Sequence, residues 1–106
     1  SVAPTGLGDG SFELWGEMVS VVNGRTQNER GSIAGSVITM LDAFRQMSRL
    51  GYSGHDLSIM SSLNPARLLG LDGEIGSLDV VKYADIVLID ESGSVKHTFV
   101  RGVQVQ

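Results

Sequence analysis

The sequence predicts a small chain of mixed α and β structure, ordered as a β-ribbon, then helices, then strands. Three observations predict it. Asn23-Gly24 stands between two β-type runs, and a type I′ hairpin turn needs positive φ at both central residues, which this dipeptide supplies. From Met40 the apolar residues take helical spacing, with Met40, Leu41, Phe44, Met47 and Leu50 on one face. Residues 84–90 form an apolar run flanked by acids, the pattern of a strand buried on both faces.

In chain order, residues 1–11 read as a loop holding Pro4, Gly6, Gly8 and Gly10. Residues 12–22 read as two short strands with a turn or bulge at Gly16, because Phe12, Leu14, Met18, Val19, Val21 and Val22 suit a pleated surface. Residues 25–28 make the return strand, and 31–36 form a glycine-bounded loop. Thr39 and Asp42 have capping-box spacing, so a helix is expected from there to Gly51, which fits the C′ position. Ser53 and Asp56 repeat that spacing and open a second helix through Leu57, Ile59 and Met60. Asn64-Pro65 reads as a third start, with Asn as the cap and Pro where its missing N–H costs nothing; this helix stops at Gly70. Beyond the strand at 84–90, residues 91–94 form a turn, 95–100 a strand, and 103–105 a last short strand.

The chain has 106 residues, enough for one small domain or a piece of a larger one. Eight basic against twelve acidic residues leave a net charge of −4, which does not suit a nucleic-acid or anionic-membrane surface. With no Cys there is no disulfide frame, thiolate metal site or Cys nucleophile. No apolar run approaches the length of a membrane span, and no secretory leader is expected, so cytoplasm is the default location.

The candidate chemistry is sparse. The loop Gly6-Leu7-Gly8-Asp9-Gly10 lacks the preceding strand and following helix that a phosphate cradle needs, and reads as a structural turn. His55 and His97 have no partner at metal-ligand spacing. There is no Gly-x-Ser-x-Gly elbow, and Ser36 reads as a loop or capping residue. Asp85 and Asp90 bracket a strand and are expected to bond turn N–H groups rather than do acid–base work. Arg67 is expected in an ion pair or bonded to carbonyls rather than on an anion. The Met and Leu stripe of the first helix reads as core, though the sequence offers little to cover it. No complete catalytic constellation can be assembled from these residues.

The order of motifs nevertheless resembles the N-acetylglucosamine-6-phosphate deacetylases of the amidohydrolase superfamily. The resemblance runs through Ala3-Pro4-Thr5-Gly6-Leu7-Gly8-Asp9-Gly10 and then residues 31–40, Gly-Ser-Ile-Ala-Gly-Ser-Val-Ile-Thr-Met. It continues through residues 62–71, Ser-Leu-Asn-Pro-Ala-Arg-Leu-Leu-Gly-Leu, then Gly76-Ser77-Leu78 and residues 84–90. The stretch from Asn64 onward is shared across the superfamily, whereas the first two motifs are more specific. Val80-Val81-Lys82 departs from the family's usual Pro-Gly-Lys, removing a turn glycine, and Ser1-Val2 replaces the commoner Ala-Met.

The resemblance implies an α/β fold: the C-terminal fragment of a TIM-like (β/α)₈ barrel plus strands of a small β-sandwich. Residues 1–70 would end the barrel, with a β-ribbon insertion at about 11–29 and helices over 39–70, and residues 71–106 would supply sandwich strands. It implies hydrolysis of N-acetylglucosamine 6-phosphate to glucosamine 6-phosphate and acetate. The catalytic Asp is expected just ahead of Ser1. The divalent metal, zinc or iron, and its ligands would belong to earlier segments, so no catalytic or metal residue is expected here and the chain alone would be inactive. Only the loop at 31–36 carries over to the active site, with Ile33 touching substrate and Ala34 and Gly35 letting the loop pack close to the sugar. The implied partners are the remainder of the barrel, a second copy of the parent enzyme and the phosphorylated amino sugar, with neither nucleic acid nor membrane. Two other readings compete: a different amidohydrolase, acting on a cyclic amide or nucleobase, and a non-catalytic association module whose uncovered helix face drives docking.

Overall fold

The computed structural model describes residues 2–106. Ser1, expected to open the first loop and to stand beside Val2 as a departure from the family pattern, lies outside the described residues. The chain divides into two compact units, one ending at Ala43 and the other running Phe44–Gln106.

In the first unit, β1 (Gly10–Leu14), β2 (Glu17–Val22) and β3 (Arg25–Asn28) form an antiparallel sheet in that order. Both connections are two-residue turns with positive φ throughout. Asn23 and Gly24 stand at 50° and 71°, the I′ geometry whose twist matches the flanking strands. Trp15 and Gly16 stand at 50° and 81°, so the glycine expected at a turn or bulge sits in a second such turn. The register sets Phe12 opposite Val19 and Val21 opposite Thr26. Because side chains alternate across a sheet, Leu14, Val19, Val21 and Thr26 share one face, and all four are buried, as is Pro4.

α1 (Met40–Arg49) starts as the capping box predicts. The Thr39 N–H donates to Asp42 Oδ2 at 2.9 Å, and the Asp42 N–H donates back to Thr39 Oγ1 at 3.1 Å. It ends in a Schellman motif: Tyr52 N–H reaches the Met47 carbonyl and Gly51 N–H the Ser48 carbonyl, with Gly51 at φ 98°. The expectation that the Met and Leu stripe is core does not hold for this chain. No residue of α1 is buried: Leu41, Phe44 and Met47 are only partly covered, and Met40 and Leu50 are exposed.

A second correction concerns Asn64-Pro65, which does not start a separate helix. α2 (Gly54–Ser58), capped by Ser53, runs on through a π-helical turn (Ile59–Leu63) into α3 (Asn64–Leu68), and Leu63 and Asn64 are both helical. Proline inside a helix lacks its N–H and crowds the carbonyl four residues back. Here the turn ahead of Pro65 widens, and Asn64 N–H bonds Ile59 five residues back, which absorbs that crowding. The helix ends at Gly70, where Leu71 N–H bonds Ala66 and Gly70 N–H bonds Arg67, a second Schellman motif. Leu57 and Ala66 are the buried apolar residues of this stretch. Gly76 lies directly on it: a Cβ there would stand 2.7 Å from Ala66 Cβ and 3.1 Å from the Ser62 carbonyl.

β4 (Ile86–Ile89), β5 (Val95–Val100) and β6 (Val103–Gln104) form the second antiparallel sheet, with a bulge between Leu88 and Ile89. The strand expected over 84–90 is shorter and is not buried on both faces, as Val87 and Leu88 are about half exposed. β4 is an edge strand with β5 as its neighbour. The glycine missing from residues 80–82 leaves its mark: Val81 takes φ 72°.

Candidate functional site

The loop at 31–36 is built from β3 outward. Asn28, the last residue of β3, accepts N–H bonds from Arg30 and Ser32 on its side-chain oxygen and turns the backbone at Gly31, whose φ is 76°. The loop then returns past Thr26. The Thr26 hydroxyl accepts from the Ala34 N–H at 3.2 Å and donates to the Gly35 carbonyl at 2.5 Å. Thr26 is 3% exposed, so this pair of bonds is shielded from water. Ile33, one residue earlier, is 84% exposed. Backbone is therefore anchored behind Ile33 while its side chain is presented outward. Ile33 borders an open hollow of about 1070 Å³ whose lining includes Val22, Arg25, Gln27 and Ser36.

Gly35 has a different constraint. Its φ of 125° is nearly exclusive to glycine, and a Cβ there would collide with the Val2 side chain. Val2 N–H also donates to the Ser36 carbonyl at 2.8 Å, so the close approach at Gly35 is to the protein's own Val2. Thr26 was not singled out by sequence. Its one signal is a hydroxyl on the inward face of an alternating ribbon, where an apolar residue is expected.

The other candidates are structural. Asp9 accepts from the N–H groups of Asn23 and Gly24 at 2.7 and 3.2 Å, so the glycine-rich loop ties down the I′ turn rather than cradling phosphate. Asp85 accepts from Arg101 N–H at 2.7 Å, fixing the β5–β6 turn, while the Arg101 guanidinium lies 5.0 Å from the Tyr83 ring centroid. Asp90 Oδ1 accepts from the Ser92 hydroxyl and from the Ser92 and Ser94 N–H groups, and Lys96 Nζ lies 2.9 Å from its other oxygen. The Ser92 hydroxyl first, then Lys96 and the Ser94 N–H, hold this carboxyl far below the usual carboxylate range. His97 Nδ1 lies 3.0 Å from Gln104 Nε2. His55 lies exposed in α2, and Ser36 Oγ accepts from Ile38 N–H; Arg67 lies exposed in α3, and among the described residues the expected ion pair or carbonyl bond is not formed.

Among the described residues, no three His, Asp or Glu side chains converge to hold a metal ion. The residues present do not fit a metal centre. Among the described residues, no helix is long and apolar enough to cross a membrane.

Comparison with known proteins agrees with this picture of a partial site. The model of the amidohydrolase family matches residues 19–105. An N-acetylgalactosamine-6-phosphate deacetylase of Escherichia coli O157:H7 is 37% identical over 92% of the chain and 26% of its own length. An N-acetylglucosamine-6-phosphate deacetylase of Vibrio furnissii is 33% identical over 92% of the chain and 25% of its own length. The crystal structure of the Thermotoga maritima N-acetylglucosamine-6-phosphate deacetylase superposes on the whole chain, with a TM-score of 0.91 and 34% identity, using 29% of that enzyme. A Mycobacterium smegmatis deacetylase variant, solved with N-acetyl-D-glucosamine-6-phosphate, matches 99% of the chain at a TM-score of 0.84 and 32% identity. The chain thus spans only about a quarter of the length of these relatives, from 25% to 29%. With most of its length inside the family match, and that match agreeing with the superposed folds, the chain belongs to the amidohydrolase family.

Proposed function

We propose that the chain is the C-terminal part of an enzyme that hydrolyses the acetamide of N-acetylglucosamine 6-phosphate to an amine and acetate. The observation that carries this is the superposition of the whole chain on the Thermotoga maritima deacetylase. In this reading residues 1–70 end a (β/α)₈ barrel, the ribbon is an insertion before its last helix, α1, and 71–106 contribute to a small β-sandwich. The exposed part of the apolar face of α1 is then what packs on the rest of the barrel. A divalent metal, zinc or iron, would be held by that remainder, which would also supply the catalytic Asp and the grip on phosphate. The parent is read as a homo-oligomer. A phosphorylated sugar does not cross membranes freely, which favours a cytoplasmic enzyme.

The contribution of the present residues is the loop at 31–36. Ile33 offers an apolar surface to the sugar, and the Thr26 bonds hold that surface at a fixed height. The 4-epimer, N-acetylgalactosamine 6-phosphate, is the second reading, favoured by the 37% identity to the Escherichia coli O157:H7 relative.

The test is acetate release by the full-length, metal-loaded protein from both sugar phosphates. A kcat/KM at least tenfold higher for the gluco substrate is expected; the reverse order selects the second reading. No release from either overturns both readings and favours the association module. An Ile33→Ser variant is expected to raise KM with metal content unchanged.

A further inference from the structure

We propose that Asn23 is a site of spontaneous deamidation held in check by Asp9. Asn23 is followed by Gly24, the smallest possible neighbour, and both are exposed at the tip of the β2–β3 hairpin. In such a pair the backbone nitrogen of Gly24 loses its proton to solvent base and bonds to Cγ of Asn23. The bond from Cγ to the amide nitrogen of Asn23 breaks and ammonia leaves. Water then opens the five-membered imide at either carbonyl, leaving Asp or isoaspartate at position 23.

Two features of the structure oppose the first step. The register Val22↔Arg25 and Val21↔Thr26 holds the turn with both φ angles positive, so the Gly24 peptide cannot swing freely toward the Asn23 side chain. The nucleophile itself is also guarded. Gly24 N–H donates to Asp9 Oδ1 at 3.2 Å, and Asn23 N–H to Asp9 Oδ2 at 2.7 Å. The deprotonated nitrogen that must attack would therefore face a carboxylate. At such a distance even water-screened repulsion lowers its population roughly fivefold, and a drier environment lowers it more.

Once the reaction occurs it is self-reinforcing. A new carboxylate at position 23 stands beside Asp9, and isoaspartate adds a backbone methylene to a two-residue turn whose register admits no extra atom. The strand loosened is β3, which carries Thr26 and through it Ala34 and Gly35. Asp9 is thus assigned the role of protecting the ribbon from ageing, independently of which substrate the enzyme takes.

The experiment is peptide mapping by mass spectrometry of the full-length protein after incubation at mildly alkaline pH. Wild type is compared with Asp9→Ser and Asp9→Ala, and with a synthetic peptide spanning residues 18–28. Asp9→Asn is avoided because it would create a second Asn-Gly pair with Gly10. Conversion at Asn23 is expected to be slower in wild type than in the peptide, and about fivefold or more faster in the Asp9 variants than in wild type. Asn28 in the same digest reports global unfolding and is expected to stay intact throughout. Wild-type conversion at the peptide's rate overturns the proposal, as do folded Asp9 variants that convert no faster than wild type. If both variants unfold, Asp9→Glu, which keeps the charge, replaces them: conversion there as fast as in the peptide overturns it.

Discussion

The Thr26 hydroxyl donates to the Gly35 carbonyl at 2.5 Å, so one buried side chain of β3 sets the position of the loop that presents Ile33. Replacing Thr26 with Val keeps the shape and removes the hydroxyl, leaving the Ala34 N–H and Gly35 carbonyl without a partner. An unsatisfied buried group costs about 1–3 kcal/mol. Thr26→Val is expected to lower thermal stability by about 2 kcal/mol and to raise KM for the sugar phosphate more than it lowers kcat. Thr26→Ser, which keeps the hydroxyl, should recover most of the KM effect. Equal kinetics in Val and Ser variants would remove Thr26 from the positioning of the loop.

Gly35 admits no side chain. A Cβ is strained at φ 125° and collides with Val2. Backbone strain of this kind costs about 1–3 kcal/mol before the collision is counted. Gly35→Ala is therefore expected to lose at least 2 kcal/mol, roughly, in chemical denaturation. The double variant Gly35→Ala with Val2→Ala should regain part of that loss, because the collision partner is gone while the φ penalty remains.

Val81 shows the opposite case. It is a β-branched residue at φ 72° that is 95% exposed, so it carries strain and gains little from burial. Left-handed backbone costs an L-residue about 1–2 kcal/mol. Glycine removes that strain but enlarges the freedom of the unfolded state, at about 0.5–1 kcal/mol. The difference favours Val81→Gly by roughly 0.5–1 kcal/mol, to be read as a raised denaturation midpoint with unchanged slope.

Asp90 ties stability to acid. Its folded pKa lies below the ordinary value of 3.8, because Ser92, Lys96 and Ser94 all favour the charged form. The unfolded protein takes up the proton first. The contribution of Asp90 is therefore whole above the ordinary value and is lost as pH falls through and below 3.8. Wild type should lose stability across that window, and Asp90→Asn should show a shallower loss over the same range. Parallel curves for the two proteins would mean that the Asp90 loop is not coupled to unfolding.

Much of the local structure was legible because local chemistry decides it. Asn23-Gly24 names its own turn, and Thr39–Asp42 and Ser53–Asp56 name their own helix starts with capping groups three residues apart. Gly51 and Gly70 mark where a left-handed residue must end each helix. The failures share one cause. Asn64-Pro65 carries a start signal, yet the backbone is already helical when it arrives, and a π turn accommodates the proline. Residues 84–90 and the α1 stripe carry burial signals, but burial belongs to whatever lies opposite, and the described residues cover them only in part.

The candidate site divides the same way. Gly31, Ile33, Ala34 and Gly35 were legible as a loop of defined composition, and their resemblance to the deacetylases fixed the family. That Thr26 holds this loop, that Asp9 holds the turn beside it, and that Gly35 meets Val2 were decided by the fold. These pairs are separated by nine, fourteen or more, and over thirty positions, and sequence order holds no record of distance in space. By itself, the sequence determined turns, caps and family, because each rests on neighbouring residues. Tertiary structure alone decided which polar group satisfies which, because a buried hydrogen bond forms only where folding brings its partners within about 3 Å.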